Sequence, residues 1–278
     1  MKNKILKKVF IKLRNAADYQ LNNFIAFIIS RPSFYTINFY IYKKILLGLG
    51  INLNYDFKKS GEFNFIKKYL TRINKPIVFD VGANIGDYAK MIKEINNDSI
   101  IFAFEPHPLN FQMLKNNLND IQNIFLKNIG LGKEKNKLYI YDYKNNDGSP
   151  RASIYKDVIE FMYSSETTRH DIEIDTLDNF VYYYNIKKIN LLKIDTEGNE
   201  LDVIKGGLNA INNGLIDVIQ FEFNYTNIIS HSFLYDFFNL LTNYDFYRIL
   251  RKGIVKIANI PFNEIFLYQN IIAIRKNL

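Results

Sequence analysis

From residue 76 onward the chain alternates short apolar runs with amphipathic stretches, and the two periods predict strands and helices in turn. Ile77–Val81 and Ile100–Phe104 are near-continuous apolar runs of the kind buried on both faces of a sheet, with an amphipathic helix, Asp87–Ile95, between them. Pro108 opens a second helix that reaches about Asn119, and Ile124–Lys127 is a third strand ending at Asn128-Ile129-Gly130. Ile189–Ile194 and Asp217–Phe223 repeat the strand pattern around a helix that starts near Asn199 and stops at Asn212-Asn213-Gly214, residues suited to a left-handed cap. Lys137–Tyr143 reads as a strand of an antiparallel appendage and Asp171–Thr176 as a further strand. Leu177–Tyr184 and Phe233–Asn243 read as helices, and late strands ending with Ile271–Arg275 close the sheet. Such alternation with short connections implies parallel pairing and helices on both faces, a doubly wound α/β sheet. One stretch interrupts it. Residues 144–170 hold turn chemistry (NNDGSPRAS) and a polar loop (SSETTR), and a connection this long inside a compact domain reads as a substrate lid.

The first strand–turn–helix–strand unit carries the most specific signal. Asp80-Val81-Gly82-Ala83-Asn84-Ile85-Gly86 follows a strand and opens a helix, and the next strand runs into Glu105, 19 residues after Gly86. That is the spacing of an acid that accepts hydrogen bonds from both ribose hydroxyls. Gly82 and Gly86 let the backbone turn tightly and approach a ligand, and Asn128, after the third strand, is placed to offer an amide beside a base. The pattern is G-x-x-x-G and lacks the third glycine of a dinucleotide fingerprint; Asp80 in the turn would also repel a phosphate. A phosphate-free nucleoside that bears positive charge fits, and S-adenosylmethionine has that chemistry. The expected cofactor-binding residues are Asp80, Gly82, Asn84, Gly86, Glu105 and Asn128.

Charge and composition change the picture at the N-terminus. The net charge of +8 is concentrated in residues 1–72, where fourteen Lys and Arg face three acids, a local +11; the rest of the chain is net −3. MKNKILKKVFIKLR reads as a basic amphipathic helix, so residues 1–72 are expected to be a basic helical extension of a domain spanning 73–278. The extension reads either as a solvated helical hairpin or as a surface for anionic lipid or a phosphate-bearing acceptor. No apolar run in the sequence is long enough to span a bilayer, and a secretory leader is not expected, so the reading is cytoplasmic, at most peripheral to the inner face of the membrane. With no cysteine there is no thiolate nucleophile and no cysteine-based metal site.

A second constellation, Lys193-Ile-Asp195-Thr-Glu197-Gly198-Asn199-Glu200, follows the Ile189–Ile194 strand. In a doubly wound sheet, reacting groups collect at the carboxyl ends of strands, so Asp195 is expected to face the same crevice as Asp80 and Glu105. Glu197 and Glu200 have a bland alternative as caps of the helix that follows. Here the chain resembles the FkbM-type methyltransferases, through FDVGANIG (79–86), FEPHPLNFQMLKNNL (104–118), NIGLG (128–132), IDTLDNF (174–180), KIDTEGNELDVIKGG (193–207) and IQFEFN (219–224). The resemblance covers about residues 76–275. It departs where Asn199 replaces the family's common His, a side chain that hydrogen-bonds but does not titrate. It implies an α/β, doubly wound, mostly parallel seven-stranded Rossmann-like sheet with helices on both faces, a class I S-adenosylmethionine-dependent O-methyltransferase, and a sugar or glycan-precursor acceptor in bacterial surface polysaccharide (capsule, O-antigen) biosynthesis.

A sugar hydroxyl is about as weak an acid as water, with a pKa near 16, so a group should take or polarise its proton. Asp195, Glu197 and His170 are the expected catalytic residues, His170 because it borders the lid. A divalent cation held by Asp195, Glu222 and Asn224 is the alternative, although no metal ligand is assigned among the site residues. Two other functions compete. A nucleic-acid methyltransferase is disfavoured because the domain is net negative and no base-flipping motif follows the fourth core strand, so no nucleic-acid partner is expected. A non-catalytic scaffold in a glycan-assembly complex would not need Asp80, Glu105 and Asp195 together.

Overall fold

A computed structural model describes residues 18–53, 56–145, 147–162 and 164–278, and the chain forms two units, one ending at Leu49 and one running from Gly50 to Leu278. The basic amphipathic helix expected over residues 1–14 lies outside the described residues. In the first unit, residues 18–29 are helical, Pro32 starts a single 3-10 turn, and Tyr35–Gly48 forms a second helix. Asn38 Nδ2 donates to Ile29 O at 2.8 Å and ties the two helices together. The boundary therefore falls at Leu49 and not at residue 72. Charge assigned residues 50–72 to the arm, yet helix Glu62–Leu70 buries Ile66 and Leu70 completely in the second unit's core and keeps Lys67 and Lys68 outside.

The second unit is built on an eight-stranded sheet. Its strands are β1 (Ile77–Val81), β2 (Ile100–Phe104), β3 (Ile124–Lys127), β7 (Ile189–Ile194), β8 (Ile216–Phe223), β9 (Tyr244–Leu250), β10 (Gly253–Lys256) and β11 (Gln269–Arg275). The order is β10-β9-β11-β8-β7-β1-β2-β3. The five strands from β8 to β3 pair in parallel, and β11, β9 and β10 add antiparallel pairs at the other end. The sheet has one strand more than expected, because the short edge hairpin Tyr244–Lys256 contributes two strands with little apolar alternation in the second.

Both faces are covered. Val78 of β1 packs with Tyr88, Ala89 and Ile92 of helix Asp87–Ile95 and with Leu114 and Leu118 of helix Pro108–Leu118. Phe79 and Val81 point to the opposite face, where Phe79, Phe102, Phe104 and Phe180 make tilted and edge-to-face contacts with centroids 4.8–5.5 Å apart. Burying each such side chain contributes roughly 1.5–3 kcal/mol. The chain runs outward from β1 to β2 and β3, then returns to start β7 on the other side of β1. The topological switch point thus lies between β1 and β7, where α/β sheets place ligands.

A second, three-stranded sheet stands over that point, formed by β4 (Gly130–Leu131), β5 (Asn136–Tyr143) and β6 (Thr167–Asp175) in the order β4-β6-β5. Ile140, Ile172 and Ile174 on one face pack with Ala152 and Ile154 of the connection between β5 and β6. The segment expected as an irregular lid, 144–170, splits accordingly: residues 167–170 belong to β6, and the described part of the remainder holds a helical turn at Val158–Met162 and a bridge from Ser153 to Tyr141 of β5. Its anchor is the fully buried Asp142, whose carboxylate accepts from Gly148 N, Ser149 N and Ser149 Oγ at 2.5–2.8 Å.

Candidate active site

The turn after β1 folds over the end of β2: the backbone N–H groups of Gly82 and Ala83 both donate to Phe104 O at 3.0 and 2.9 Å. Gly82 has φ +83°, and a Cβ there would lie 1.7 Å from the carbonyl oxygen of Asp195. The glycine is thus required for β1 and β7 to close on each other, not only for a ligand to approach. Gly86, at φ +95°, faces Leu114 and Leu118 and lets the helix begin against them. Between the two, Asn84 takes a left-handed φ of +49° and donates its N–H to Glu105 Oε2 at 2.8 Å. His107 N donates to the other oxygen, Oε1, also at 2.8 Å. Each oxygen retains a lone pair, as two ribose hydroxyls would require. Burial pushes the Glu105 carboxyl up to about 7 despite those two donors.

Asp80 sits beneath this turn. It is buried, its Oδ2 has no hydrogen-bond partner, and burial, only partly offset by Lys193, raises its pKa to about 7. Lys193 is its cross-strand partner in the β1–β7 register and is 3% exposed, with Nζ 3.0 Å from Asp195 Oδ2. Burial works against the lysine's charge, but Asp195, Glu62 and Glu222 outweigh it and hold the ammonium above the usual lysine range. A polar chain extends behind it: Tyr88 Oη donates to Gln220 Oε1, and Gln220 Nε2 donates to Glu62 Oε2 at 2.7 Å.

At the end of β7 the two glutamates divide the roles that the sequence left open. Glu200, the first residue of the helix, holds the turn before it: its Oε1 accepts from Thr196 N, Thr196 Oγ1 and Gly198 N at 2.9–3.2 Å. Glu197 holds a left-handed φ of +52°, its buried Oε2 is without a hydrogen-bond partner, and burial, with Asp195 and Glu200 adding to it, lifts its carboxyl to about 8. A strained non-glycine backbone carrying an unpartnered acid is a pattern found at functional sites.

These ends line one crevice that opens to solvent. Gly82, Asn84, Glu105, Asp195 and Glu197 line it; Asp80, Gly86, Asn128 and His170 do not. Asn128 is exposed, and its amide nitrogen donates to the carbonyls of Glu105 and Pro106, so it fastens the end of β2. His170, on β6, turns its Nε2 onto Asp147 at 2.9 and 3.0 Å. Glu222 accepts from Asn224 Nδ2, and Asn224 Oδ1 accepts from Thr226 N at 2.6 Å. The roof supplies residues that the sequence did not single out, Asn110, Ser149, Ile140, Ile172 and Ile174, and also Asn199, whose Nδ2 donates to Leu131 O. Only the inward alternation of residues 170, 172 and 174 signalled any of them.

A doubly wound sheet with a crevice at its switch point, where Glu105 meets the Asp195–Glu197 turn, defines an α/β protein of the kind that binds ligands at the carboxyl ends of its strands. The sequence matches the model of the Methyltransferase FkbM domain over residues 80–247, and the chain belongs to that family. It is 31% identical over 144 residues to Methyltransferase 1 of Beauveria bassiana, covering 46% of this chain and 57% of that one. The hexuronic acid methyltransferase AglP of Haloferax volcanii is 28% identical over 155 residues, 54% of this chain and 58% of its own length. The 2-O-methyltransferase NoeI of Sinorhizobium fredii is 22% identical over 140 residues, 48% and 57% respectively. The alignments thus span under three fifths of these relatives. Among solved structures, the precorrin-6y C5,15-methyltransferase of Geobacter metallireducens is similar with a TM-score of 0.40 at 11% identity, over 78% of this chain and 89% of that one.

Proposed function

We propose that this chain is an S-adenosylmethionine-dependent O-methyltransferase acting on a hydroxyl of a sugar or glycan precursor, in the surface-polysaccharide setting that the resemblance implies. The observation that carries the reading is that Glu105 and the Asp195–Glu197 turn line one crevice at the switch point. The residues suit the cofactor: the orphaned Asp80 Oδ2 and the surplus of acids favour a ligand with cationic groups and no phosphate, and Glu105 keeps acceptor capacity on both oxygens. When bound, S-adenosylmethionine supplies an electrophilic methyl group on a sulfonium centre.

The protein's task is then to hold an acceptor oxygen in line and take its proton. Glu197, with a carboxyl near 8 and an unpartnered oxygen, is poised to act as the base around neutral pH. Asp195, 37% exposed at the mouth and oriented by Lys193, would accept a hydrogen bond from the acceptor hydroxyl and fix its direction. A saccharide acceptor is supported by the name of one relative, a hexuronic acid methyltransferase, and transfer to oxygen by that of another, a 2-O-methyltransferase. The test is transfer of isotopically labelled methyl from S-adenosylmethionine to a panel of uronic-acid and neutral saccharides, with Glu197→Gln and Asp195→Asn beside the parent chain. Transfer should fall about 10²–10⁴-fold in Glu197→Gln, with cofactor affinity within a few-fold. Absence of transfer to any saccharide, or an undiminished rate in both variants, would overturn the reading.

The unit ending at Leu49 fits a peripheral lipid contact. Phe24, Phe27, Tyr35, Phe39 and Tyr40 are exposed, and Lys43 and Lys44 lie 4.9 and 5.2 Å over the rings of Phe39 and Tyr40. None of the described helices is long and apolar enough to cross a membrane.

A further inference from the structure

His107, Asp147 and His170 come together from three parts of the fold: the residue that caps helix Pro108–Leu118, the β5–β6 connection, and the middle of β6. Their ligand atoms all lie within 4.8 Å of one another, and among the described residues they form the one such group of three or more His, Cys, Asp or Glu side chains. His107 Nε2 is 3.1 Å from Asp147 Oδ1, and His170 Nε2 is 2.9 Å from Asp147 Oδ2. A tetrahedral ion with bonds of 2.0–2.1 Å holds its ligand atoms roughly 3.3 Å apart, so a small adjustment would seat one. The rings stand edge to face with centroids 4.6 Å apart, which lets both Nε2 atoms point at one place. We propose that these three side chains bind one divalent transition-metal ion, and that the ion pins the roof of the crevice to the end of β2.

Charge favours an ion over a bare hydrogen-bonded clasp. The fully buried Asp142 stands behind His107, its Oδ2 3.6 Å from Nε2, so two carboxylates face two imidazoles, and among the described residues no lysine or arginine forms an ion pair with either carboxylate. A dication balances the two carboxylates. Two imidazoles and one carboxylate form a donor set suited to Zn(II) and its neighbours, with a position left for water. One local cost is visible. His107 Nδ1 accepts the helix-capping contact from Asn110 N at 3.5 Å, and an ion on Nε2 would put the ring proton on Nδ1 and break that long contact. The consequence for the crevice is direct, because His107 N donates to Glu105 and the Asp147 connection carries Ser149 and Pro150 into the lining.

The test uses the full chain, first stripped with chelator, then titrated with Zn(II) by calorimetry and with Co(II) by visible absorption. We expect one equivalent bound, a tetrahedral Co(II) spectrum, and slower proteolysis within residues 144–166 when the ion is present. His170→Ala, at a half-exposed position that should not compromise folding, should weaken Zn(II) binding by roughly 100-fold or more, and Asp147→Ala likewise. His231→Gln, at the exposed third histidine, should change nothing. No stoichiometric binding, or equal affinity in His170→Ala and the parent chain, would overturn the proposal. The readout is metal and not methyl transfer, so the result is independent of the function proposed above.

Discussion

Gly82 and Gly86 belong to one sequence motif, yet the structure predicts very different costs for adding a methyl group to each. At Gly82 the new Cβ would meet the Asp195 carbonyl at 1.7 Å; since Cβ contacts under 3.0 Å are essentially never seen, the β1–β7 junction must open by about 1.3 Å. The obstructing atom is backbone and has no rotamer to escape to. Opening the junction by that much also breaks the 2.9 Å bond from Asp195 N to Val81 O. The lost hydrogen bond costs about 1 kcal/mol, the left-handed backbone about 1–2, and the overpacking about 1–3. The sum, roughly 4 kcal/mol, corresponds to a fall in Tm of roughly 8–16 °C for a domain of this size. At Gly86 the obstructing atoms are the Cδ1 tips of Leu118 and Leu114 at 2.7 and 2.9 Å, which swing aside, so Gly86→Ala should cost roughly 2 kcal/mol and about half that shift.

Function should separate in the same direction. A displacement above 1 Å at the Asp195–Glu197 turn is enough to cost roughly 100-fold in transfer, while Gly86→Ala leaves that turn in place. Thermal unfolding by circular dichroism and titration with S-adenosylhomocysteine measure the two effects independently. If the glycines serve only to let a ligand approach, both variants lose affinity alike and neither loses much stability. Equal Tm shifts for the pair, or a Gly82→Ala protein with unchanged transfer, would refute the strand-closure argument.

Two further outcomes follow from charge. The carboxyls of Asp80 and Glu105 at about 7 and Glu197 at about 8 are raised in the folded chain, so between about pH 4 and 8 the folded state holds protons that the unfolded chain has released. The stability these groups contribute to the ligand-free protein should therefore be fullest near pH 4 and be lost progressively as pH rises to 8, while transfer, with Glu197 as the proposed base, should rise between pH 6 and 8; a Tm that climbs from pH 6 to 8 would contradict the assignment. The full chain should sediment with vesicles containing anionic lipid but not with neutral ones, and Phe24→Asp with Phe27→Asp should release it; equal recovery with neutral vesicles, or no sedimentation at all, would remove the lipid reading of the first unit.

Much of the parallel half of the sheet was legible because its strands are buried on both faces and so appear as uninterrupted apolar runs flanked by turn residues. The placement of Glu105 and Asp195 at strand ends followed from that. What escaped depends on partners distant in sequence. The β5–β6 connection reads as polar loop because its order is imposed by one buried carboxylate, Asp142, acting on residues six and seven positions later. Residues 50–72 read as arm because lysines dominate their charge, whereas two fully buried apolar positions, Ile66 and Leu70, decide where they pack. Asn128 was expected beside a base, and nothing in its neighbours shows that its amide is spent on the carbonyls of Glu105 and Pro106.

Lys193 is the clearest case of a residue whose meaning the linear chain hides. Inside the run Leu191-Leu-Lys-Ile-Asp195 it looks like a solvated charge at a strand end, but the β1–β7 register sets it opposite Asp80 and encloses it. It is then a buried cation serving Asp80, Glu62, Asp195 and Glu222, whose carboxylates outnumber it. Asp80, Glu62 and Glu222 keep raised pKa values because burial opposes their charge and a single ammonium cannot offset it. The same imbalance supports the cofactor proposed above. A phosphate would add to a charge excess already held in low dielectric, whereas a ligand with a sulfonium and an ammonium would relieve it, so the acid surplus that weakens the empty fold is what favours a phosphate-free cofactor.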